Sequence, residues 1–161
     1  MTWKPDVTVA AIIENDGRFL MVEEHVGHRL VINQPAGHLE VNESFVTAVI
    51  RETLEETAWT FVPDSLTGIY LWQHPERNVS FLRLTFCGSV TDHDPDRPLD
   101  HGIKRTLWLS RDELTQRQAQ LRSPMVTKCI DDYLAGIRYP LSVLTHLAAA
   151  GSFSHAMPAT R

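Results

Sequence analysis

The stretch Gly37-His38-Leu39-Glu40-Val41-Asn42-Glu43-Ser44-Phe45-Val46-Thr47-Ala48-Val49-Ile50-Arg51-Glu52-Thr53-Leu54-Glu55-Glu56-Thr57-Ala58-Trp59 holds the most regular pattern in the chain. From Ser44 to about Thr57 it contains no Gly or Pro and spaces its apolar residues as a helix does, with Ser44 or Asn42 available as the cap. Successive helical residues are about 100° apart, so Glu55 and Glu56 flank Glu52 at about 60° and about 40° on either side. Val46, Val49, Ile50, Thr53 and Thr57 form a mostly apolar stripe beside these acids. Three like charges one turn apart repel, each i,i+4 pair costing about 0.2–0.5 kcal/mol. Arg51 offsets one of them, whereas an oxygen-seeking divalent cation would offset all three. Taken alone, such a stripe is also what a solvated helix face looks like.

Charge elsewhere sharpens the contrast. The formal net charge is -5, from fifteen Lys+Arg and twenty Asp+Glu. Gly37 to Trp59 holds five of the acids and one base, while the other residues are nearly balanced at fifteen acids and fourteen bases. Such a balance argues against a general electrostatic grip on nucleic acid or an anionic membrane. At 161 residues the chain fits one ordinary domain, expected over 1–150, with a small polar tail at 151–161 expected to be disordered. Its 43% hydrophobic and 22% charged content excludes fibrous and wholly disordered classes. Two cysteines, Cys87 and Cys129, are too few for a disulfide framework or a Cys-based zinc site and suit reduced thiols. The N-terminus carries no signal-peptide pattern, and no apolar run approaches the roughly 20 residues that span a bilayer. A cytoplasmic location is expected.

Around the acidic segment the chain reads as strands. Val7 to Ile13 is a β-branched run that suits a buried strand, Asn15-Asp16-Gly17 a hairpin turn, and Arg18 to Glu23 its partner. Leu30 to Gln34 is a third strand, stopped at Pro35-Ala36-Gly37. After the helix, Pro63-Asp64 is expected to break the chain. Strands follow at Leu66 to Gln73, Val79 to Val90 and Arg105 to Leu109. Ser110-Arg111-Asp112-Glu113 is a capping box for a short helix. Ser123-Pro124 opens a second helix ending near Gly136, and Pro140 to Ala150 is expected to form a third. Strands, one helix, more strands and then helices make an α+β order.

Context gives the acids a further meaning. Gly37, Glu43, Arg51-Glu52 and Glu55-Glu56 reproduce the Nudix box: Gly, five residues, Glu, seven residues, Arg-Glu, two residues, Glu-Glu. The chain therefore resembles the Nudix hydrolases, which implies an α/β/α sandwich with a mixed sheet, the acidic catalytic helix following the third strand. Two positions depart from the pattern: Ala58 replaces the closing glycine, and Thr53 stands where an aliphatic residue is usual. The resemblance implies that Glu52, Glu55 and Glu56 bind Mg²⁺ or Mn²⁺ with the Gly37 carbonyl. It further implies that Arg51 and Glu43 hold one another and orient Glu52, and that water cleaves a phosphoanhydride.

Other segments narrow the likeness. Asn33 to Glu40, Val22-Glu23-Glu24, Phe81-Leu82-Arg83, Leu121-Arg122-Ser123-Pro124 and Arg138-Tyr139-Pro140-Leu141 resemble the NudJ-type phosphatases. That subgroup implies Mg²⁺-dependent release of orthophosphate from nucleoside di- and triphosphates, and action on hydroxymethylpyrimidine diphosphate. The alternatives are an ADP-ribose or nucleotide-sugar pyrophosphatase and a non-catalytic nucleotide sensor. Arg83 is a candidate for phosphate, Trp72 and Gln73 for the base, and Gln34 for the wall of the cleft. Asp100, nearest the last strand among Asp92, Asp94, Asp96 and Asp100, is the candidate general base. The run from Asp92 fails as an EF-hand, because Arg97 and Ile103 stand where Gly and Glu are required, and reads as a solvated loop. The expected partner is a small phosphorylated substrate, with no nucleic acid or membrane, and the protein a monomer or homodimer.

Overall fold

A computed structural model describes residues 2–149; the tail expected at 151–161 lies outside the described residues. Its elements in order are β1 (Asp6–Asn15), β2 (Arg18–Val26), β3 (Arg29–Asn33), β4 (Ala36–His38), α1 (Phe45–Thr57), β5 (Thr60–Gln73) and β6 (Ser80–Thr91). After these come β7 (Ile103–Ser110), α2 (Arg111–Gln116), α3 (Met125–Leu134) and the two-residue β8 (Tyr139–Pro140).

The sheet is mixed. β1 runs parallel to β6 and antiparallel to β4, while β6 pairs antiparallel with β5. β2 pairs antiparallel with β3 and β7, and joins β1 through the hairpin, where Asp16 and Gly17 both take positive φ as a two-residue turn requires. β1 is apolar on both faces because both are covered. Val9, Ala11 and Ile13 pack with Ala48 and Val49 of α1, whereas Ile12 packs with Val126, Cys129 and Ile130 of α3. The result is the expected α/β/α arrangement.

Three details differ from the sequence reading. Pro63-Asp64 does not break the chain, because β5 runs through it with a register shift between Pro63 and Ser65. A bulge accommodates a proline that the ladder otherwise rejects. Opposite it, a Cβ on Gly88 would collide with the Val62 carbonyl oxygen. The helix expected from Pro140 reduces to a 3-10 turn at Leu141–Val143. Lastly, β4 covers the segment read only as a stop, and it delivers Gly37 to the site: Gly37 pairs with Val9. Among the described residues no helix is long and apolar enough to cross a membrane.

Candidate active site

α1 is fastened at both ends. Ser44 caps it, its hydroxyl accepting from the Thr47 amide. At the other end Ala58 takes φ 60°, the left-handed conformation in which the Nudix pattern has glycine. Holding Ala there costs on the order of 1–2 kcal/mol. Neighbouring contacts hold the turn: the Ala58 amide donates to Leu54 O, its carbonyl accepts from Asp94 N at 3.0 Å, and Trp59 stacks on His93 at 4.4 Å. Asp100 N donates to Glu55 O at 2.8 Å. The loop expected to be merely solvated is thus pinned to the end of α1, and that pinning sets Asp100 on the wall of the cleft. Thr53 is fully buried and satisfies its hydroxyl on Val49 O at 2.8 Å, so the unusual residue leaves no orphan donor.

Arg51 organises the acids. Its Nε and Nη2 donate to the two oxygens of Glu43 at 2.7 and 3.0 Å, a bidentate pair. Nη1 donates to Glu52 at 2.8 Å and Glu55 at 3.1 Å, and Nη2 also reaches the His38 carbonyl. The Glu43 hydrogen bonds hold Arg51 protonated far above its ordinary value. Arg51 in turn draws the Glu43 carboxyl below the carboxylate range.

Glu56 lies beyond that network. It is 6% exposed, and among the described residues its hydrogen bond comes from Ala36 N at 3.0 Å. Burial drives its carboxyl well above 4.5, and the charges of Glu24, Glu52 and Asp100 push the same way. Burial also raises Glu52, against the pull of Arg51. The Glu52 carboxylate fills the space above Gly37, where a Cβ would collide with it. Among the described residues no three His, Cys, Asp or Glu side chains already stand in ligating positions, since Arg51 engages Glu52 and Glu55. Even so, the donor set is all oxygen, and the buried acid without a cationic partner is what a hard divalent cation complements.

Glu52, Glu56, Gly37 and Asp100 border a cleft of about 340 Å³ whose other side bears Arg83 and Trp72. Arg83 is 4% exposed and makes no ion pair among the described residues. Nη1 donates to Gln34 at 3.0 Å and Nη2 to Asn33 at 3.2 Å, while Nε finds no partner. Burial lowers its pKa. Trp72 stacks on Phe81 at 5.9 Å. Three predicted residues do not reach the cleft. Gln34 is buried behind it, bonded to Val126 O and Arg83, and so positions the guanidinium without lining the wall. Gln73, next along β5 from Trp72, points to the opposite face by strand alternation and is exposed. Glu55 binds Arg51 and does not line the cleft.

The sequence assigned no role to Thr8, Glu24 or Arg122, all of which border the cleft. Arg122 pairs with Glu24 at 2.6 Å across 98 residues. Thr8 is the β1 neighbour of Arg83 in register, and its buried hydroxyl has no hydrogen-bond partner among the described residues. Strand pairing creates these neighbours, and no local spacing signals them.

A helix bearing carboxylates beside a mixed sheet, with a pocket between, is the arrangement of a Nudix domain, and the NUDIX domain family model matches residues 3–129. Phosphatase NudJ of Escherichia coli (strain K12) is 39% identical over 142 residues, covering 88% of this chain and 92% of that protein. A NUDIX hydrolase structure from Nitrosomonas europaea shares 52% identity with a TM-score of 0.87, over 89% of this chain and 98% of that one. A bifunctional NMN adenylyltransferase/ADP ribose pyrophosphatase from Francisella tularensis, complexed with AMP and Mn ion, superposes with a TM-score of 0.62. It covers 83% of this chain and 42% of that one at 20% identity, a likeness of fold. The chain belongs to the Nudix family and is a Nudix hydrolase. Enzymes of this family use divalent metal ions, and its nearly full-length likeness is to a NudJ phosphatase.

Proposed function

We propose that the protein removes terminal phosphate from nucleoside di- and triphosphates with Mg²⁺ or Mn²⁺, releasing orthophosphate, and that hydroxymethylpyrimidine diphosphate is a further substrate. The observation that carries the reading is Glu56, a buried carboxylate beside Glu52 and Asp100 with no cationic partner among the described residues. The likeness to phosphatase NudJ supports the terminal position of the cut.

Glu52, Glu55, Glu56 and the Gly37 carbonyl would hold the cation. When bound, it neutralises phosphate charge, polarises the phosphoryl oxygens and lowers the pKa of the attacking water. Arg51, clamped by Glu43, fixes the rotamer of Glu52. Asp100, exposed on the cleft wall, accepts the proton of the attacking water. Arg83 donates to phosphate oxygens, and Trp72 offers a face to the base or pyrimidine. Glu55 joins the ligand set by leaving Arg51, whose remaining bonds hold it in place. Two buried, unpaired cysteines suit a reducing cytoplasm.

The test is a substrate panel with Mg²⁺, scored for phosphate before and after treatment with an added phosphatase. Orthophosphate appearing directly from nucleoside di- and triphosphates is expected. Phosphate seen only after the added phosphatase would mean an internal cut, as in an ADP-ribose or nucleotide-sugar pyrophosphatase. Tight nucleotide binding with no turnover would mean a sensor.

A further inference from the structure

Beside the cleft, at Trp72, lies a second, smaller cavity of about 90 Å³. Three arginines, Arg29, Arg77 and Arg122, share its lining with His74, Trp72 and Phe81, and no carboxylate borders it. Trp72, Phe81 and Arg122 line both cavities, so the two adjoin across the stacked aromatic pair. One water needs about 10–15 Å³ of such space, so the small cavity has room for several waters or one tetrahedral oxyanion.

Two of the three charges have no ionic partner among the described residues, and all three stand on ordered backbone. Arg122 is partly compensated by Glu24. Arg29 and Arg77 make no ion pair with any described residue. Arg77 sits on the β5–β6 turn, which closes on itself: His74 N donates to Val79 O, and Val79 N to Arg77 O at 2.7 Å. His74 Nδ1 accepts from the amides of Glu76 and Arg77 at 3.1 and 3.2 Å. An Nδ1 that accepts leaves the ring proton on Nε2, a further donor in the lining. Arg29 opens β3, whose other end supplies Asn33 to Arg83. The three cations therefore stand on ordered backbone around a space without an acid, where a phosphate group finds several charge-assisted donors.

We propose that this cavity is a second anion subsite, and that the substrate of the hydrolytic centre bears a further phosphate-type group on the moiety attached to its diphosphate. The proposal rests on the phosphoanhydride hydrolase reading above and adds a substrate class to it: doubly phosphorylated nucleotides, held at both phosphates with the base against Trp72. Arg29 and Arg77 read the distal anion and take no part in the cut.

The experiment compares binding of adenosine 3′,5′-bisphosphate and adenosine 5′-monophosphate by calorimetry in Mg²⁺ buffer, neither ligand holding a phosphoanhydride to be cleaved. Two arginines at a partly exposed site predict about tenfold tighter binding of the bisphosphate. In the double variant Arg29→Ala, Arg77→Ala the advantage should fall below about twofold. Both side chains are exposed, so the variant's melting temperature should match the parent's, and its hydrolysis of plain nucleoside diphosphate should be unchanged. Equal affinity for the two ligands, no measurable binding of either, or an advantage kept by the double variant overturns the proposal. Loss of plain nucleoside diphosphate hydrolysis in the parent protein would instead count against the hydrolase reading alone.

Discussion

Arg51 and Arg83 sit on the two sides of one functional centre in opposite surroundings. Arg51 is met by Glu43, Glu52 and Glu55, and its charge is consumed in arranging them. Arg83 is the more deeply buried of the two, yet its Nη1 and Nη2 donate to the neutral amides of Gln34 and Asn33, and it makes no ion pair among the described residues. A buried charge without a counter-ion costs several kcal/mol unless something completes it. The same holds in reverse for Glu56, the acid that Arg51 does not reach. One pair of groups is satisfied within the chain and gives the site its shape. The other pair, Glu56 and Arg83, has no ionic partner among the described residues, and the proposed function assigns a cation to the first and a phosphate to the second.

The largest test of this division removes charge from the metal side. Glu52→Gln should lower the turnover of nucleoside diphosphates at least about 10²-fold, measured as initial rates of phosphate release at saturating Mg²⁺. Near-normal turnover would defeat the assignment. Arg83→Met should act differently, raising KM about 30-fold while kcat changes less than about threefold, since it removes an anion contact made before the chemical step. A matching fall in kcat with KM constant would move Arg83 into the transition state and erase the contrast.

The two sides also differed in how well the sequence announced them. Glu43, Arg51, Glu52, Glu55 and Glu56 lie on or next to one helix, where spacing translates directly into position. The capping box at Ser110 and the Asp16-Gly17 turn were legible for the same reason, as was the α/β/α order. Arg83's setting depends on strands far apart in the chain, so local pattern points to Gln34 as a wall residue and Gln73 as a base contact, whereas Gln34 is a buried brace and Gln73 faces outward. A period of two says that neighbours on a strand oppose one another, but not which face meets the cleft. Pro63 misled because propensity cannot foresee a bulge.

Arg51→Met breaks the satisfied pair. Glu43 keeps one backbone partner, Glu40 N, and Glu52 loses its donor. In metal-free buffer the variant should be less stable by about 1–2 kcal/mol, read from the urea midpoint at unchanged slope. Saturating Mg²⁺ should recover part of that loss, because the cation takes over the neutralisation of Glu52. No loss in metal-free buffer would mean that the acids repel too weakly to need Arg51.

The smallest effect is a pH dependence whose two arms have opposite sign. Glu52 and Glu56 titrate above 4.5 in the folded chain, so their ionised forms weigh against folding. As pH falls from neutral through those raised values, protonation relieves the cost, and the gain is complete once pH reaches the unfolded value. Glu43 titrates below 4.5, so its contribution is present above 4.5 and lost as pH falls through its lowered folded value. In EDTA the protein should therefore grow more stable from neutrality down to about pH 5 and weaken below it. Glu56→Gln should flatten the first arm and spare the second, because an amide at that position is neutral at every pH. Urea midpoints of both proteins across the range check this. A parent whose stability falls steadily from neutrality would mean that Glu56 is not an unpaired buried acid, and the cation-binding half of the comparison would lose its physical basis.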